Sequence, residues 1–316
     1  MLLGRLQHVR KPKFPDVTLP LQVVCVSTKS GIGVVRENML RKDGKALVSK
    51  IRAEGNDLKQ HILNAVEAIG GFGKVVEKDD QILLKPNFNT GDAPPGSSDP
   101  DFIKAVIELL YEHGACNVIL GESSMMSASS RKIFEDTGML NKAHEAGADV
   151  VFFDEGDWAK VRIGGKFLKN VSLPKGALQP RKLVNVCCMK THKWAKFTLS
   201  MKLAVGFMKP DERMRLHLTH LEEKIADLNL VVHPSLIIMD GRKCFINGGP
   251  ACGELKEPNL ILASGDRIAI DVEAIKSIQS FEGNSLQNDA WSYTQIRRAV
   301  DLELGSRNER AYAVVS

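Results

Sequence analysis

Five short apolar runs of this chain end on charged residues. Leu84 leads to Lys85, Leu120 to Gly121 and Glu122, Phe153 to Asp154, Met189 to Lys190, and Met239 to Asp240. Lysines and carboxylates gathered at one place can neutralise a small anion and exchange protons with it. Taken singly, each is a strand-end charge reaching water. If the runs are parallel strands, however, their carboxyl ends lie along one edge, where open α/β sheets bind ligands. The expected catalytic set is Lys190, His192, Glu122 and Lys85, with Asp240 and Asp271 binding the substrate.

The segments between add to that expectation. Asn89–Ser98 and Gly121–Ser127 are glycine and hydroxyl turns able to present backbone amides to an anion, though neither has phosphate-loop spacing. His192, two residues after Lys190, can carry a proton near neutral pH or ligate a metal. His217 and His220 share a helical face if their helix begins early; with His192 they would offer three nitrogens and an open position for a divalent ion. The plainer reading is surface or capping histidines. Asp266 fits an N-cap, whereas Asp271, between Ile270 and Val272, needs a partner if buried.

The elements that must position these residues follow from periodicity. From Gln81 onward, branched apolar runs alternate with segments of helical period, which predicts an α/β fold: a mainly parallel open sheet with helices on both faces. Strands are expected at Ile82–Leu84, Asn117–Leu120, Asp149–Phe153, Leu183–Met189, Leu236–Met239 and Leu260–Ala263. Helices are expected at Asp99–Gly114, Arg131–Ala146, Phe197–Met208, His220–Val232, from Asp266 onward, and at Asn288–Leu302. Residues 1–79 read as an N-terminal extension packed on the main domain, with a strand at Val23–Val26, a glycine-bearing turn at Lys29–Gly33 and a helix at Val48–Ile69. Residues 80–304 form that domain, and 305–316 a flexible tail.

Composition narrows the partners. The 316 residues carry 43 Lys plus Arg against 38 Asp plus Glu, a net +5 that is dispersed rather than striped, so no nucleic-acid partner is expected. No apolar run approaches the roughly 18 residues of a membrane helix, and Met1 to Pro15 lacks a hydrophobic signal core; the expectation is a cytoplasmic protein with no membrane partner. Six cysteines, at 25, 116, 187, 188, 244 and 252, show no Cys-x-x-Cys spacing and read as free thiols. Gly-x-Gly-x-x-Gly, Gly-Lys-Ser/Thr, Gly-x-Ser-x-Gly and His-Glu-x-x-His are all missing, which weighs against nicotinamide, nucleoside triphosphate, serine hydrolase and zincin chemistry.

Leu84-Lys85-Pro86-Asn87, Gly121-Glu122-Ser123-Ser124, Lys190-Thr191-His192, Lys202, the His217 and His220 pair, Asp240-Gly241, Gly249-Pro250 and Asp266 to Asp271 follow one another in an order that resembles the domain-of-unknown-function family 362, from about residue 80 to 280. The resemblance implies Lys85, Asn87, Glu122, Lys190, His192, Lys202, Asp240 and Asp271 as the site. It also implies an association with iron-sulfur centres and a redox partner protein. This chain lacks the accompanying four-cysteine segment, so no ferredoxin-type cluster is expected, and Leu203 stands where the family usually has Asn. Three functions stay open: an enzyme acting on a small carboxylate or phosphate, a redox accessory protein holding a divalent metal, and a non-catalytic scaffold.

Overall fold

The computed structural model describes residues 31–34, 37–179 and 181–316. The expected strand Val23–Val26, Cys25 and the first residues of the Lys29–Gly33 turn lie outside the described residues. The strands are β1 (Arg41–Lys42), β2 (Lys45–Arg52), β3 (Gln81–Lys85), β4 (Asn117–Glu122), β5 (Asp149–Phe152), β6 (Trp158–Arg162), β7 (Asn170–Pro174), β8 (Lys182–His192), β9 (Lys196–Thr198), β10 (Pro234–Gly248), β11 (Gly253–Lys256), β12 (Leu260–Ser264) and β13 (Tyr312–Val315). The helices are α1 (Leu58–Glu67), α2 (Pro100–Glu112), α3 (Ser130–Asp136), α4 (Met139–Glu145), α5 (Ser200–Leu203), α6 (Pro210–Leu216), α7 (Leu221–Leu228), α8 (Arg267–Gln279) and α9 (Thr294–Asp301).

The main sheet is mixed, with a parallel centre. Strands β10, β8, β3, β4 and β5 lie side by side in that order and all run the same way. Beyond β10 the sheet continues through antiparallel β12 and β2, with β1, β9 and β11 as antiparallel additions and β13 parallel to β2. Strand alternation sends side chains to two cores. Leu183, Cys187 and Met189 of β8 face one, beneath α5, α7, α8 and α9, while Val184 and Val186 face the other, beneath α1 to α4. Coverage on both faces explains why the central strands read as continuous apolar runs. Among the described residues no helix is long and apolar enough to cross a membrane.

Four expectations are corrected. Residues 45–52 form a strand inside the sheet, and the helix expected from Val48 starts only at Leu58. Ala46 and Val48 bury on one face and Leu47 on the other, a placement that a strand between β12 and β13 satisfies. The helix expected over Arg131–Ala146 breaks into α3 and α4 at Gly138, whose φ of 74° leaves the helical region. The expected helix Phe197–Met208 is β9, the short α5 and a 3₁₀ turn, because Lys196–Thr198 pair back on the end of β8. Gly305–Ser316 does not fray: Tyr312–Val315 pair with Ala46–Ser49.

Caps and close approaches fix the loops at the carboxyl edge. Asp99 caps α2 by accepting from the Asp101 N–H, with Pro100 in the first turn. The 248–250 loop presses on the end of β8, where a Cβ at Gly249 would lie 2.0 Å from the Thr191 carbonyl oxygen. Only glycine fits that approach.

Candidate functional site

Because β3, β4, β8 and β10 are parallel, their last residues meet at one edge. Lys85 follows the parity of Leu83 into the core beneath the 3₁₀ turn 204–207, where it is buried. Its Nζ donates to Glu122 Oε1 at 2.5 Å and to the Pro86 carbonyl at 2.7 Å, 5.7 Å from the centre of the Phe207 ring. Glu122 is fully engaged: Oε1 also accepts from the Ser123 N–H and Oε2 from the Phe88 N–H. Burial pulls the Lys85 ammonium below its ordinary value, and the Glu122 charge opposes that pull. Gly206 makes the room, since a Cβ there would meet Lys85 Cε and Nζ at 2.8 Å.

Arg213 lies beside this pair, and Lys202 interacts in turn with Arg213 and Lys190; among the described residues none of these three cations forms an ion pair with a carboxylate. Arg213, on α6, donates to the carbonyls of Met208, Ser123, Ser124 and Gly206, clasping α6 to the end of β4. Burial pushes it down to about 10, with Glu122 and Asp154 acting the other way. Lys190, buried at the end of β8, donates to the Gly96 carbonyl at 2.5 Å, and burial lowers it too. Lys202, on α5, makes no hydrogen bond or ion pair among the described residues. Burial, then the charges of Lys190 and Arg213, bring it down to about 7. An amine so tuned is part neutral and part charged in ordinary buffers.

Two histidines stack beside the lysines, their ring centres 6.3 Å apart. His192 Nδ1 accepts from the Trp194 and Ala195 N–H groups, so a neutral ring carries its proton on Nε2. Burial, then Lys202, His217 and Lys190, push it down to about 2. His217 Nδ1 lies 2.8 Å from the Arg213 carbonyl and donates to it, leaving Nε2 as a lone pair. The pair thus presents one donor and one acceptor. Buried hydroxyls without partners among the described residues, Ser123 Oγ, Thr191 Oγ1 and Thr198 Oγ1, sit on the same strand ends; Thr198 is directly opposite Lys190.

The remaining expected residues work elsewhere. Asp271 accepts from the Ser200 and Met201 N–H groups at 2.8 and 3.1 Å, and so orients the helix that carries Lys202. Burial raises its carboxyl to about 7 against those hydrogen bonds. Asp240 is paired with Arg242, which reaches on to Asp99 at the start of α2. Asn87 donates to Cys188 Sγ at 3.4 Å. Asp154 lies within reach of the Ser130 N–H at 3.3 Å. His220 packs on Phe167 and approaches Glu223, apart from the His192–His217 stack. Among the described residues no three His, Cys, Asp or Glu side chains are grouped to hold a metal ion, and the five cysteines there, 116, 187, 188, 244 and 252, are free.

Sequence reasoning missed Arg213. Its only sequence signal is an arginine inside the basic turn Arg213-Met214-Arg215, indistinguishable from a solvated face until α6 is seen against β4.

The model of the family described as a domain of unknown function (DUF362) matches residues 82–276. A curated relative, a thylakoid-associated protein of Synechocystis sp., is 26% identical over 226 residues, 69% of each chain. The chain belongs to the DUF362 family, and the matched span contains every cation of the site, from Lys85 to Arg213.

Proposed function

We propose that the carboxyl edge of the parallel strands binds a small carboxylate- or phosphate-bearing substrate and moves a proton on it. One observation carries this reading: Lys190, Lys202 and Arg213 converge with no carboxylate bonded to any of them, and Lys202 has no hydrogen-bond partner among the described residues. Carbonyl oxygens satisfy donor hydrogens but do not cancel charge, so a cluster of this kind favours an incoming anion.

The roles follow from the protonation states. Arg213, at about 10, supplies positive charge, and Lys190 adds a second buried amine, lowered by burial. Lys202 is the group that gives or takes the proton, because its value of about 7 lies near neutrality and no hydrogen bond among the described residues holds its ammonium. His192 Nε2–H is a donor for oxygen charge that develops on the substrate, held in its tautomer by the 194 and 195 amides. Lys85 and Glu122 satisfy one another and form the floor, and Asp271 positions α5.

The test is ligand-induced thermal stabilisation with inorganic phosphate and a panel of mono- to tricarboxylates. The melting temperature of the wild type rises with at least one of them, and the rise disappears in Lys202→Met and Lys190→Met. Affinity weakens about tenfold per pH unit above 7, as Lys202 loses its proton. No stabilisation by any anion, or an unchanged response in both variants, rejects the reading.

A further inference from the structure

Eight large apolar side chains stand exposed among the described residues, and they are not evenly spread: Met125, Met126, Trp194, Met214 and Leu218 all surround the carboxyl edge. The contacts already described tie them together. Met125 and Met126 follow Ser124, whose carbonyl accepts from Arg213; Met214 is the next residue on α6. Leu218 follows His217, which stacks on His192, whose Nδ1 receives the Trp194 amide. Trp194 and Leu218 are 72% and 78% exposed, so neither contributes to the core.

The same collar is basic. Lys193 and Lys196 flank Trp194, and Arg215 lies between Met214 and Leu218. All three are exposed, and among the described residues none of them forms an ion pair with a neighbour within 4 Å; Lys196 only faces the half-buried Glu222 at longer range. An indole flanked by ammonium groups, with exposed methionines and a leucine on the neighbouring segments, matches the headgroup zone of a bilayer. Aromatic rings and aliphatic side chains sit there among the acyl carbons while cations face lipid phosphate.

We infer that this edge of the molecule docks on an anionic lipid surface. Trp194, Met126, Met214 and Leu218 enter the interface, and Lys193, Lys196 and Arg215 rest on the phosphates. The expectation of no membrane partner rested on the lack of a crossing helix, which bears on spanning a bilayer and not on lying against one. Docking would turn the mouth of the cation-lined site towards the lipid headgroups. Charge complementarity is the reason to choose a lipid surface over a second copy of this chain, which would set like charges face to face.

The experiment is co-sedimentation of the full chain with vesicles of phosphatidylcholine alone and of phosphatidylcholine mixed with phosphatidylglycerol. A second form keeps Trp194 as the sole tryptophan, through Trp158→Phe and Trp291→Phe. The protein binds the anionic vesicles, releases with added salt, and shifts Trp194 emission to the blue on binding. Lys193→Gln and Lys196→Gln each weaken binding about fivefold, and Trp194→Ala roughly tenfold, with unchanged melting temperatures. The inference is overturned by absent binding to anionic vesicles, by equal binding to neutral ones, or by a concentration-dependent dimer that shields Trp194 instead. Lys202→Met leaves vesicle binding intact, so failure here is distinguishable from failure of the anion site.

Discussion

Arg298 and Arg213 are both arginines drawn into the same core, yet the chain treats them differently. Arg298 Nε and Nη2 both donate to Asp227 Oδ1, while Asp227 Oδ2 accepts from the Phe167 and Leu168 amides. Charge and hydrogen bonds are satisfied together. Arg213 donates to four carbonyls and among the described residues forms no ion pair with a carboxylate, and burial lowers it to about 10. At Arg298 the fold supplies an opposite charge, whereas at Arg213, as at Arg267 outside the site, it supplies only oxygen acceptors. What sets Arg213 apart is the company of Lys190 and Lys202, whose joint field the proposed anion would answer. The Lys85–Glu122 pair lies within the site and yet belongs with Arg298 in kind.

Removing one partner of a matched pair has the largest effect expected, because the survivor is left buried and uncompensated. Lys85→Met and Arg298→Met each lose about 3–5 kcal/mol in urea denaturation at pH 7. The double change Lys85→Met with Glu122→Leu recovers most of the first loss, since no charge then remains buried. A Lys85→Met protein as stable as the wild type would place Lys85 with Arg213, among the unmatched cations.

The unmatched cations respond in the opposite direction. Lys202 has a folded value of about 7 against 10.5 in the unfolded chain, so its burial cost is full below pH 7 and declines as the pH rises from 7 towards 10.5. Lys202→Met therefore stabilises the protein, by about 2–3 kcal/mol at pH 6 and clearly less at pH 9, while abolishing the anion response. Guanidinium unfolding of both forms at the two pH values checks it. A destabilised variant would mean that Lys202 already has a compensating partner.

The contrast also explains what was legible in the sequence. The parallel centre could be read because strands covered on both faces need unbroken apolar runs, and the charged residue ending each run marks where the sheet stops. Lys85, Glu122, Lys190 and His192 were placed at one edge on that ground. What could not be read is which charge meets which: Lys85 and Glu122 are 37 positions apart, and their contact depends on the strand order β8-β3-β4. Asp271 announced a need for a partner but not that the partners would be the Ser200 and Met201 amides. Residues 48–52, the start of the expected helix Val48–Ile69, read as helix in the sequence because the two-faced burial of their strand depends on β12 and β13, both distant in the chain.

His192 sharpens the comparison at smaller scale, being a group kept neutral by burial and then by the cations around it. Its folded value of about 2 against 6.5 unfolded means that below pH 6.5 the unfolded chain takes up a proton that the folded ring refuses. Stability is lost as the pH falls, by about 1 kcal/mol at pH 5.5 from this residue. Asp271 works in the other direction: its carboxyl, raised to about 7, contributes fully below 3.8 and loses that contribution as the pH climbs through 7. The two must be separated by difference. His192→Asn keeps an oxygen able to accept from the Trp194 and Ala195 amides but cannot titrate, so subtracting its stability curve from that of the wild type isolates the ring. The difference is flat above pH 7 and falls on acidification; a difference that stays flat down to pH 5 would mean the ring takes up its proton as readily in the folded as in the unfolded chain, and that burial and the cations around it oppose its charge less than the geometry implies.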